Sequence, residues 1–115
     1  GGNFLTIGTL VVGGSGQYFI NLTVNGSAGP VSAFDKQPLN IIWSSTGMDN
    51  CFIDGSFSSQ PGGDEVALND LATSGGIHAY ARFDPLHNKE LVSLTCNKAH
   101  TWGHLEQEVV LNPKR

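Results

Sequence analysis

Few side chains in this 115-residue chain carry chemistry of their own: two cysteines, four histidines, two tryptophans and ten acidic residues. Cys51 and Cys96 do not form a C-x-x-C pair, so neither a zinc ribbon nor a thioredoxin-type redox motif is indicated. Two free buried thiols are one reading of the pair, and a disulfide is the other. The disulfide is favoured, because each cysteine begins or ends a stretch that reads as a strand. The two could then meet across two sheets. Closing that loop would stabilise the fold by about 4 kcal/mol in the chain-entropy model. It would also imply maturation in an oxidising place.

The remaining candidates weaken on inspection. His78, His87, His100 and His104 lack H-E-x-x-H or any other paired-ligand spacing, so scattered surface histidines are expected and no metal. Residues 49–55 are rich in oxygen ligands but miss the calcium-loop spacing, and read as a turn leading into a strand. There is no G-x-S-x-G elbow, and Gly13-Gly-Ser-Gly16 lacks the lysine of a phosphate loop. A paired-carboxylate cleft is hard to build beside the core of so small a domain. No catalytic residue and no cofactor are expected. Asn21-Leu-Thr and Asn25-Gly-Ser match the glycosylation sequon and read as chance matches.

One segment suggests binding. Residues 97–104 should join the last two strands, placing Trp102 near a loop tip between His100 and His104. An aromatic side chain on a loop buries much area at low entropic cost and can also stack on a sugar face. The bland alternative is that Trp102 folds back and caps the core.

The elements that must position these groups are strands. Gly makes up 15 of the 115 residues and only 14% of the chain is charged. That composition excludes a coiled coil and a charged disordered tail. The net charge is −4, and two of the six basic residues are the last two, Lys114 and Arg115. A phosphate backbone would be repelled, so no nucleic-acid partner is expected. No apolar run approaches the ~20 residues of a membrane-spanning helix, and no signal-peptide pattern is read in the chain.

Hydrophobic period two recurs throughout. In residues 17–25, Tyr18, Ile20, Leu22 and Val24 alternate with Phe19, Asn21, Thr23 and Asn25. Residues 4–12 are rich in β-branched side chains and join 17–25 through Gly13–Gly16 as a hairpin. Further strands are expected at 31–34, 39–44, 51–54, 77–83, 90–96 and 104–111. In the last, Leu105, Val109 and Leu111 share a face, opposite Glu106, Glu108 and Val110. Residues 64–74 fit a short helix or a strand at 65–68, and the strand is preferred. This is an all-β pattern of many short strands, as in a sandwich or barrel.

The words Leu39-Asn-Ile-Ile-Trp-Ser-Ser-Thr46, then Cys51 and Gly55, then Leu94-Thr-Cys96 and a final strand to Leu111 resemble bacterial and phage immunoglobulin-like domains. The resemblance covers residues 31–111. It implies an antiparallel two-sheet sandwich over 30–115, with Trp43 packed near a Cys51–Cys96 bridge and residues 1–29 as an added N-terminal hairpin. The pattern departs from antibody domains, which place the tryptophan between the cysteines and a tyrosine two residues before the second. Here Trp43 precedes Cys51 and Leu94 holds the tyrosine position.

Phe4, Leu10, Val12 and Phe19 fall on the hairpin face opposite Tyr18, Ile20, Leu22 and Val24. Two apolar faces both need cover. One can pack on the sandwich and the other on a partner, for instance by strand addition. The expected function is therefore a non-enzymatic structural subunit of an extracellular assembly whose partners are other protein subunits. A phage virion part (capsid decoration or tail) leads, with Gly1 following a removed initiator Met. A bacterial surface filament or adhesin subunit, or a carbohydrate-binding module using Trp102 on a surface glycan, are the alternatives.

Overall fold

A computed structural model describes residues 10–11, 17–64, 66–83, 90–98 and 103–114, the side chains of 10, 11 and 17 excepted. Every described element is a strand. They are β1 (Leu10–Val11), β2 (Gln17–Val24), β3 (Val31–Ala33), β4 (Pro38–Thr46), β5 (Asn50–Gly55), β6 (Phe57–Ser58), β7 (Leu68–Leu71), β8 (Gly75–Ala81), β9 (Leu91–Asn97) and β10 (His104–Pro113). They form two five-stranded sheets, β1-β2-β4-β8-β6 and β3-β10-β9-β5-β7. The pairing of β3 with β10 is parallel, and the other pairings are antiparallel.

The period-two patterns set which residues face inward. Ile20, Leu22 and Val24 of β2, Leu39, Ile41 and Trp43 of β4, and Ala79 and Ala81 of β8 supply one half of the core. Ile53 of β5, Val92 and Leu94 of β9, and Leu105, Val109 and Leu111 of β10 supply the other. The result is one apolar layer between two sheets, a sandwich-like arrangement. On β10 the buried and exposed residues alternate along the whole strand, with Glu106, Glu108 and Val110 outward, as expected.

β2 pairs with β4 from Phe19–Thr46 to Val24–Ile41 and fills the core with three side chains. It is therefore a member of the sandwich. β1 runs antiparallel to it, with Leu10 opposite Tyr18. The link between them, residues 12–16, lies outside the described residues.

Two expectations need correction. Residues 66–74 contain no helix, and the strand there is Leu68–Leu71, later than the expected 65–68. β6 was not foreseen, because two residues carry no periodicity.

Gly55 ends β5 for a steric reason. Its φ is 144°, and a Cβ there would sit 2.2 Å from the Leu91 carbonyl oxygen. Only glycine allows β5 to pass that close to β9.

Candidate functional site

Cys51 and Cys96 form a disulfide. They are direct register partners on neighbouring strands β5 and β9, with Cα atoms 4.0 Å apart. The bridge thus lies within one sheet, which corrects the expectation that it would join two. Cysteines that end or begin strands meet as readily across one ladder as between layers, and sequence spacing does not separate the two cases.

Ser45 of β4 reaches the bridge from the opposite sheet. Ser45 Oγ lies 4.0 Å from Cys51 Sγ, and its hydroxyl donates to the Thr73 carbonyl at 2.8 Å. The Trp43 indole N–H donates to the Ala72 carbonyl at 2.9 Å. Gly75 is the register partner of Trp43, and the indole carbons lie 3.1 Å from where a Gly75 Cβ would be. Two β4 side chains therefore tie down the β7–β8 connection, which passes from one sheet to the other.

Of the loop singled out from the sequence, His100 and Trp102 lie outside the described residues. His104 opens β10 opposite Asn97, is exposed, and sits 3.7 Å from the Glu106 carboxylate. His78 is exposed on β8, and His87 is outside the described residues. No group of three or more His, Cys, Asp or Glu is placed to hold a metal among the described residues. Asp49 precedes β5 and pairs with Lys98 at 3.7 Å, so residues 49–55 are a turn and a strand.

Of the hairpin residues, Phe4 and Val12 are outside the described residues, and the Leu10 side chain is not described. Phe19 is 51% exposed on the outer face of its sheet. Ile42, on the same face of β4, is 46% exposed. Two large apolar side chains thus stand in water on the first sheet, while Glu106 and Glu108 stand on the outer face of the second.

A feature not read from the sequence lies at the other edge. β6 pairs only with Tyr80 and Ala81 of β8. Gly75 to Ala79 therefore have no strand neighbour on that side among the described residues. Beside this open edge runs an apolar cleft of about 160 Å³ lined by Phe57, Val66, Leu68, Ile77 and Ala79. Ile77 is opposite the fully buried Ile41, yet is itself only half-buried. Among the described residues, the sandwich is incompletely closed between β8 and β7. The sequence carried a faint sign of this in the Gly75–Gly76 start of a strand, where no side chain covers the edge.

No helix among the described residues is long and apolar enough to cross a membrane. Comparison with protein-family models, curated proteins and solved structures gives no match.

Proposed function

We propose that the chain is an immunoglobulin-like, non-enzymatic structural subunit of an extracellular assembly, joined to neighbouring protein subunits by strand addition. The observation that carries this reading is the open edge of β8 beside an apolar cleft. Unpaired edge groups are satisfied by an incoming backbone, and side chains of the added strand fill an adjacent groove. Left uncovered, the same edge is an aggregation hazard that monomers normally blunt with charge or proline. Residues 75–79 carry neither.

The strand order supports the immunoglobulin-like part. The runs β2-β4-β8-β6 and β10-β9-β5 follow the ABED and GFC orders of that sandwich. On this alignment Trp43 lies on the strand that holds a cysteine in antibody domains. Cys51 lies on the strand that holds their tryptophan. That exchange accounts for the reversed order of the two words in the sequence.

The bridge is consistent with a non-cytoplasmic location. A virion surface and a bacterial cell surface are both oxidising places, so the bridge fits a phage virion part as well as a surface filament or adhesin subunit. Sedimentation velocity of the native protein over a range of concentrations tests the proposal. Association into dimers or longer species is expected, and a monomer at every concentration would remove the homotypic form of it.

A further inference from the structure

A second cleft, of about 260 Å³, opens at the β5–β7 edge of the other sheet. Asn50 and Phe52 of β5, Asn69 and Asp70 of β7 and Asn97 of β9 line it. The ladder sets this grouping. Asn50 is the register partner of Asn97, and Cys51 just below them is bridged to Cys96. The Asn97 carboxamide donates to Asn50 Oδ1 at 3.3 Å. β7 contributes through an irregularity. Cys51 opposes Leu71 but Ile53 opposes Leu68, so β7 holds one extra residue. Asp70 sits there at φ 53°. Such a bulge re-aims side chains, and Asn69 and Asp70 are both exposed rather than alternating. No hydrogen bond or ion pair within the chain engages either side chain among the described residues.

The geometry points to a binding site for a neutral saccharide, formed by Asn50, Phe52, Asn69, Asp70 and Asn97. Each carboxamide offers donors and an acceptor, and the carboxylate offers only acceptors. Adjacent hydroxyls of a pyranose present the complementary donors and acceptors in pairs. The half-buried Phe52 ring gives a flat apolar surface for the C–H face of the sugar. Charge selects against other ligands. Glu106 and Glu108 share this outer face, so anions are repelled. A lone carboxylate does not make a calcium cage. The cleft is slightly smaller than the ~300 Å³ at which small-molecule sites begin. It suits a single sugar ring, with the rest of a chain in solvent. This inference does not depend on strand addition: both clefts involve β7, the one beside β8 through Leu68 and this one through Asn69 and Asp70. It also differs from binding through Trp102, which belongs to the connection leaving β9 after Asn97.

Titration of the ¹⁵N-labelled protein with cellohexaose, mannohexaose and galactohexaose at about 10 mM, above the ~1 mM range of weak binding, tests the site. Saturable shifts of the Asn50, Asn69 and Asn97 side-chain amide resonances are expected with at least one of them. Asn69→Ala and Asp70→Asn should each weaken that binding about tenfold, with unchanged thermal melting. Asp70→Asn keeps a residue type that tolerates the left-handed backbone. No shift with any of the three sugars would overturn the proposal. Binding lost in Trp102→Ala but retained in Asn69→Ala and Asp70→Asn would also overturn it.

Discussion

The carboxamide of Gln107 on β10 pairs with both backbone groups of Leu22 on β2. Its Oε1 accepts the Leu22 N–H at 3.0 Å and its Nε2 donates to the Leu22 carbonyl at 3.3 Å. Gln107 is 1% exposed. Among the described residues, β2 has β4 on one side, and β1 covers only its first residues on the other. The Leu22 backbone would otherwise be a buried, unpaired strand edge. One side chain from the opposite sheet thus does the work of a strand and closes the sandwich on this side.

Replacing that carboxamide should be costly. Gln107→Leu leaves a buried N–H and C=O unpaired and should lose about 1–3 kcal/mol in urea unfolding. Gln107→Glu should be worse at neutral pH, because an ionised carboxylate is buried and cannot donate to the Leu22 carbonyl. Its folded-state pKa would be raised. The destabilisation should therefore be relieved as pH falls through that value and return as pH rises. Loss of stability independent of pH in Gln107→Glu would contradict this account.

The bridge staples two strands that are already neighbours. Cys51→Ala with Cys96→Ala should lower unfolding free energy by about 2–4 kcal/mol while leaving the β-sheet circular dichroism unchanged. Collapse of the spectrum under native conditions would show that the bridge holds more than the β5–β9 ladder. Reduction with a thiol should reproduce the double variant.

Two glycines should respond differently to alanine. Gly55→Ala puts a Cβ against the Leu91 carbonyl, where backbone cannot yield, and should cost about 2–4 kcal/mol. Gly26 has φ 79° with nothing within 4 Å, so Gly26→Ala should cost about 1 kcal/mol from the backbone alone. Equal melting temperatures for the two variants would argue against the close β5–β9 approach at Gly55.

Much of the sandwich was legible because its strands are one-sided. The inward sets Ile20, Leu22, Val24 and Leu105, Val109, Leu111 follow directly from alternation. Gln107 sits on that same inward face and went unread, since a polar residue in an apolar row signals a partner only when the partner is known. The cysteine pair illustrates the same boundary. Strand ends suggested that Cys51 and Cys96 could meet, but which ladder joins them is long-range information. Both clefts depend on where neighbouring strands stop, β6 at two residues and β7 at its bulge. Local sequence carries little of that.

Apolar residues beside β8 separate assembly from folding. Ile77→Glu and Leu68→Glu put charge into the cleft at half-buried positions. They should abolish association, and the modest burial should limit the loss of stability to about 1–2 kcal/mol. Association that persists in both folded variants would place the contact elsewhere, with the exposed Phe19 and Ile42 as the next surface to test.

Amide hydrogen exchange of residues 75–79, compared between dilute and associated protein, examines strand addition most directly. The account predicts that those amides of β8 facing the open edge become protected on association, while the Glu106 and Glu108 face of β10 is unchanged. Associated protein in which residues 75–79 exchange as fast as in the dilute sample would contradict it.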